Sequence, residues 1–384
     1  MQSNNTTPEL DKPSQASTGP GRLRAGKRPE WERAEESKED RNASIDLLRF
    51  ISILLVVLIH INVFEHSMQT YSSAIPGVLH NFVKSCRIPV PLFFIIAGYF
   101  FGRKLSMGMP PAQMLKRAFR RLLPIFIGWN VLYFLIPGDW IRLSLQYDVV
   151  RPVYWHLLDM IEAVRDDPFM PIYRGIRVHL WFLPALLSGF TIMAGFIVLK
   201  KEKYLIPFSF ALYIFSLLGN SYKGLPFSLD APYLTKYGPF TSTLFVSLGW
   251  WMAWRRRFTR RQGMHLVIFG TICMAVETHL LCRYYGTSAH GDYLLGVVPF
   301  SLGALVLALS CPGIGQNTFF QRWGAAFTLG IFVTHVMIMD NLAFLHRYIK
   351  PVLWDLFFPV TVYLLAVGIT MLLKKSSKTS WLVA

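Results

Sequence analysis

The chain has 384 residues, of which 53% are hydrophobic, 15% aromatic and 16% charged, with a formal net charge of +17. Soluble globular domains carry about 25% charged residues, so roughly a third of that charge is missing, and its uneven distribution excludes a soluble domain. A basic chain suits nucleic acid only when the cations line a water-facing surface. Here the Lys and Arg residues lie between apolar runs, which excludes nucleic acid and makes membrane lipids the expected surroundings.

Residues 1–44 are polar, with runs such as Glu35-Glu36-Ser37-Lys38-Glu39-Asp40, and hold no apolar stretch. They are expected to form a disordered cytosolic tail and not a cleaved leader. From Ile45 onward, apolar segments recur at about the length a helix needs to cross a hydrocarbon core, roughly 20 residues. The expected spans are 45–64, 82–101, 122–137, 179–198, 204–218, 239–254, 264–281, 293–310, 326–344 and 351–373. The second is the least regular, because Lys84 and Arg87 sit near its start and Pro89 and Pro91 follow. The fold class is therefore all-α: a polytopic integral membrane bundle of about ten transmembrane helices. Its domains are a tail over 1–44, a transmembrane domain over 45–373 and a short cytosolic tail over 374–384.

Basic residues mark the cytosolic side of such a chain. With the N-terminus inside, the inner segments hold 26 Lys and Arg and the outer ones 12, with Arg49 inside the first span. Both termini are then cytosolic. The segment 138–178, rich in Trp, Arg and Asp, becomes the largest outer loop and the candidate lid. Four cysteines (Cys86, Cys273, Cys282 and Cys311) show no CxxC spacing, so free thiols are expected and no metal or redox site.

The first span carries Arg49 and, eleven residues on, His60. Eleven steps of 100° fall within about 20° of three whole turns, so both side chains leave one face, about 16 Å apart along the axis. Ionisable groups inside a span are costly and face the bundle interior. A cation near the cytosolic boundary and an imidazole in the outer half thus suggest a polar path through the protein. The alternative for Arg49 is that it snorkels and pairs with Asp46, three residues earlier. His60 and His335 also have a plain alternative, as hydrogen-bonded histidines of the core, and the intramembrane Glu277 either orients His60 or sits protonated at the outer interface.

The segment Ile45-Asp46-Leu47-Leu48-Arg49 through His60 resembles the first-span motif of the acyltransferase 3 family of polytopic membrane O-acyltransferases. Pro91-Leu92-Phe93-Phe94-Ile95-Ile96-Ala97-Gly98 is similar to that family's aromatic segment, with Ala97 where many members have serine. Lys116-Arg117-Ala118-Phe119-Arg120-Arg121 matches its basic Arg-x-x-Arg segment. His179-Leu180-Trp181-Phe182 and Gly330-Ile331-Phe332-Val333-Thr334-His335 look like later family segments. Together these cover residues 44–373.

The resemblance implies an acyl-CoA donor on the cytosolic side, most simply acetyl-CoA, with no metal. It implies a carbohydrate or lipid-linked glycan acceptor at the outer side of a bacterial cytoplasmic (inner) membrane. His60 would be the general base on the acceptor hydroxyl, and Arg49 would meet the carbonyl or the donor. Arg117, Arg120 and Arg121 would grip the coenzyme A phosphates, and Gly98 would leave room for the thioester arm. His335, Glu277, Trp181 and Phe94 would line the cavity. The basic segment also satisfies the positive-inside rule alone, and Gly98 equally serves helix packing. A transporter or flippase for a lipid-linked glycan is the alternative function, although no internal repeat of the kind common in transporters stands out.

Overall fold

The computed structural model describes residues 42–71, 74–230, 233–255, 258–286 and 293–383. Among them the protein is all-helical, without strands. The expected tail lies outside the described residues as far as residue 41. Its last residues belong to the first helix, because the Asn42 side chain caps it by accepting from the Ile45 N–H at 3.1 Å. Asn42 also donates to the Ala308 carbonyl at 3.0 Å, which anchors the helix start in the bundle.

Helix α1 (Ala43–Ile61) ends on Asn62 in the left-handed conformation, φ 54°, a helix-stopping role Asn fills by tolerating that region. The irregular second span resolves into two helices, α2 (Ala74–Ser85) and α3 (Pro89–Ser106). Proline has no N–H to donate and favours the first helical turn, so Pro89 restarts the chain after the non-helical Cys86-Arg87-Ile88. Helix α4 (Pro111–Leu135) begins eleven residues before the expected 122 and runs through the basic segment, because Lys and Arg are good helix formers whose charges need not leave the helix. The segment 138–178 is itself helical, with α5 (Arg151–Asp166) as its longest piece. Asp148 caps α5, accepting from the N–H groups of Arg151 and Val150 at 2.8 Å each. Those two bonds hold its carboxyl below the usual range.

The remaining helices follow the expected spans within four residues: α6 (Phe182–Val198), α7 (Leu205–Leu218), α8 (Pro239–Ala253), α9 (Arg260–Tyr285) and α10 (Val297–Ser310). A short α11 (Phe319–Ala326) leads into α12 (Thr328–Leu342) and α13 (Pro351–Lys375). Seven helical stretches are long and apolar enough to cross a membrane: those of α1, α2–α3, α4, α6, α9, α12 and α13. Helices α7, α8 and α10 have 14, 15 and 14 residues. At 1.5 Å per residue, each is about 20 Å long, short of a hydrocarbon core of about 30 Å.

Helix α8 is the axis of the packing, with Thr241 through Gly249 buried on all sides. It meets α3 backbone to backbone: a Cβ on Gly98 would fall on the Val246 carbonyl, and one on Gly249 on the Ile95 carbonyl. Apolar attraction between helices is weak in lipid, and small residues replace it by close approach. Helix α13 turns Val352, Leu356, Phe357, Val360 and Leu364 outward, the face expected against acyl chains. The C-terminal residues fold back on α4: the Trp129 indole donates to the Leu382 carbonyl at 2.9 Å and Val383 is buried. All four cysteines are free.

Glu277, expected in the cavity, instead closes a helix end. It accepts from the Tyr222 hydroxyl, from the Leu295 N–H at 2.9 Å and from the Gly296 N–H at 2.7 Å. These donors precede α10, where the first N–H groups lack intrahelical partners and a carboxylate is favoured. Glu277→Ala should therefore lower stability by about 1–3 kcal/mol without touching donor binding. Thermal unfolding in detergent measures this, and an unchanged midpoint would contradict it.

Candidate active site

His60 stands one residue before the end of α1, with Nδ1 2.8 Å from the Val56 carbonyl. A carbonyl only accepts, so Nδ1 carries the hydrogen and the neutral ring presents a bare Nε2. That orientation comes from the helix itself, since Val56 lies one turn earlier on the same face. His60 is exposed, and what it is exposed to is a cavity of ≈ 140 Å³. The lining includes Arg87, His179, Trp181, Lys236, Tyr237 and Tyr293 besides His60.

Trp181 stands at the centre of an aromatic wall, its ring 5.6 Å from Tyr237, 6.4 Å from Tyr293 and 6.1 Å from Phe94. Phe94 is fully buried and stacks on Phe182 at 4.9 Å, so it backs the wall without reaching the cavity. Flat rings beside a polar group suit a ligand with both a hydrophobic face and hydroxyls.

Behind His60 lie two further imidazoles. The ring of His335 is 5.0 Å from that of His60, and the ring of His179 is 6.3 Å from His60 and 5.3 Å from His335. His335 is 0% exposed and His179 4%. The turn of α12 that carries His335 is pinned by Tyr133, whose hydroxyl donates to the Val333 carbonyl at 2.9 Å and accepts from the Met337 N–H at 3.3 Å. One phenol thus occupies both ends of a helical i to i+4 pair and ties α4 to α12. His179 is delivered by the 3-10 turn Val178–Trp181 just before α6.

The other expected residues lie elsewhere. Arg49 is beside Asp46, with Nη1 3.4 Å from Oδ1, and its guanidinium covers the Phe100 ring at 5.0 Å. The local pairing with Asp46 is therefore present, and Arg49 does not line the cavity of His60. Arg117 is half-buried and Arg120 and Arg121 are exposed on α4, separate from that cavity. Gly98 is filled by the α8 backbone. Of the expected site residues, the fold brings together His60, Trp181 and His335, backed by Phe94. It separates from them Arg49, Gly98, Glu277 and the three arginines of α4.

His179, expected only as part of a family segment, borders both the cavity and His60. The signal was present: a histidine directly before an apolar run, adjoining Trp181. Arg87, Lys236, Tyr237 and Tyr293 had no such signal, since they come from separate loops and helix starts.

The fold is a helical membrane bundle in which an imidazole borders an aromatic cavity. The chain belongs to the acyltransferase 3 family: that family's acyltransferase domain matches residues 42–373. Among curated proteins it is similar to an amino-acid racemase of Enterococcus faecalis, 25% identical over 329 residues, covering 82% of this chain and 43% of the relative. A serine/alanine racemase of Enterococcus gallinarum is 24% identical over 283 residues, covering 70% of this chain and 37% of the relative. The chain thus spans less than half the length of these relatives, and the racemase activity in their names is theirs. No solved structure matches it.

Proposed function

We propose that the protein transfers an acyl group, most simply acetyl, from a cytosolic acyl-CoA thioester to a hydroxyl of a sugar or lipid-linked glycan at the outer side of a bacterial inner membrane. The observation that carries the reading is the bare Nε2 of His60, oriented by the Val56 carbonyl and facing the cavity. An imidazole so held takes the proton of an alcohol as its oxygen attacks the thioester carbonyl, and returns it to the departing thiolate. The wall of Trp181, Tyr237 and Tyr293 supports a carbohydrate acceptor, whose ring C–H faces stack on aromatics while its hydroxyls reach polar groups. The excess of inner Lys and Arg supports a topology with both termini cytosolic, in which α7, α8 and α10 cross together with the seven longer stretches.

In that topology the arginines of α4 face the compartment where coenzyme A resides, and Arg117, Arg120 and Arg121 hold its phosphates through charge-assisted, bidentate bonds. Arg49, nearer the same side, meets the donor arm and not the reacting carbonyl.

Acetyl-CoA should raise the unfolding temperature of the protein in nanodiscs, and raise it less for Arg117→Ala/Arg120→Ala. Ligand at a hundred times its dissociation constant stabilises by about 2.7 kcal/mol, which is well within detection. No stabilisation by any acyl-CoA at saturation would favour transport of a lipid-linked glycan through the same cavity.

A further inference from the structure

The three imidazoles differ in how their nitrogens are engaged. His335 Nδ1 lies 3.0 Å from the Ile331 carbonyl and 2.8 Å from that of Phe332. Like His60, it therefore carries its hydrogen on Nδ1 and presents a bare Nε2, which is buried with no hydrogen-bond partner. His179 is buried with neither nitrogen partnered. A neutral imidazole has one N–H and one lone pair, and leaving both unmet in a core costs about 1–3 kcal/mol apiece. The bare nitrogens of His60 and His335 lie near the His179 ring, with ring centres 6.3 and 5.3 Å away. At such separations a small ring tilt completes a direct N–H···N link. Aromatic rings enclose the trio, with Tyr133 5.3 Å and Phe332 5.6 Å from His179. Among the described residues the three rings form no metal-holding group.

We propose that His60, His179 and His335 act as one unit that holds the abstracted proton, with His179 as the link between the cavity-facing base and the sealed His335. This rests on the reading of His60 as general base. The acceptor O–H gives its proton to His60 Nε2 as the oxygen bonds the thioester carbonyl carbon. The new N–H donates to the lone pair of His179, whose opposite N–H donates to His335 Nε2. One positive charge then spreads over three rings instead of standing on His60 alone, which shares its cavity with the cations Arg87 and Lys236. When the carbon–sulfur bond breaks, the thiolate takes the proton back from His60. Ester and thiol leave, and the three rings return to neutrality. His179 borders the cavity, whereas His335 acts through it as a positioning residue.

The test uses the full chain in nanodiscs. With 15N-labelled histidine, a 15N–15N coupling across an N–H···N hydrogen bond should join His179 to a neighbouring ring, and its absence at all three rings overturns the proposal. Thiol release from acetyl-CoA, followed with a sugar that the wild type acylates, supplies the kinetic arm. His179→Gln and His335→Gln should each lower turnover about ten- to a hundredfold, with KM for acetyl-CoA within about twofold. The curved dependence of the wild-type rate on the D2O fraction should become linear in both. A merely structural role would instead raise KM, lower the unfolding temperature and leave the curvature. Wild-type turnover in both variants, with His60→Ala inactive, overturns the three-ring unit alone. Wild-type turnover in His60→Ala overturns the base assignment beneath it.

Discussion

His60→Ala should abolish acyl transfer while leaving the protein folded and able to bind acetyl-CoA. Removing a positioned general base costs about 10²–10⁴ in rate. The fold should tolerate the change, because the hydrogen bond of His60 is made within its own helix and its ring faces open space. Truncating a side chain that already borders a cavity leaves little new void to collapse. Donor affinity should hold as well, since the cations of α4 lie apart from that cavity. Thiol release from acetyl-CoA, read beside the unfolding temperature and the acetyl-CoA thermal shift, separates the three effects. Full turnover with normal expression would remove His60 from the chemistry.

Gly98→Ala should give one of the largest losses of stability of any single-methyl addition in the bundle, and Gly249→Ala should match it. Each Cβ would meet not a movable side chain but the backbone of the facing helix, Val246 in one case and Ile95 in the other. Overpacking of this kind costs about 1–3 kcal/mol, and more when backbones must separate. Gly195 and Gly368 are the controls: both are helical, and a Cβ at either would meet nothing within 4 Å. Alanine at those sites should be neutral or stabilising by up to about 1 kcal/mol, from the lost freedom of the unfolded chain. The same comparison decides between packing and passage at Gly98. A falling unfolding midpoint with unchanged acetyl-CoA affinity assigns it to the α3–α8 contact. An unchanged midpoint with weakened affinity would return it to the donor path.

Much of the architecture was legible because a bilayer permits few solutions. Every backbone group must be satisfied within the segment, so a long apolar run can only be a helix, and most of the apolar helices fall within a few residues of the runs. The irregular second segment was legible as irregular, and Pro89 explains the break. The helices within 138–178 were harder to see. Their faces are mixed, since α5 places Leu158 and Ile161 outward beside Asp159 and Glu162, and a hydropathy reading takes such a stretch for a loop.

The candidate site was legible only where chemistry and helical periodicity coincide. His60 could be found because an imidazole in an apolar helix is expensive enough to need a reason. The same reasoning pointed to Glu277, where it was right about cost and silent about purpose. The carboxylate meets that cost by capping α10 and not by serving the cavity. Arg49 shares a face with His60, but sharing a face does not mean sharing a cavity over about 16 Å of axis. Asp46 and Phe100 claim the guanidinium first.

By itself the sequence determined the class of the protein, the positions of most of its apolar helices and the one base worth testing, because hydropathy, charge and period are local properties. Only the tertiary structure decided which residues meet. His60, His179 and His335 stand on or beside α1, α6 and α12, with over a hundred residues between one and the next. They come within 5.0–6.3 Å of one another through crossings that depend on side-chain volume, at Gly98 against Val246 and at Tyr133 against Val333. No periodicity along the chain encodes such contacts, because a crossing is a property of two helices and a sequence is read one helix at a time.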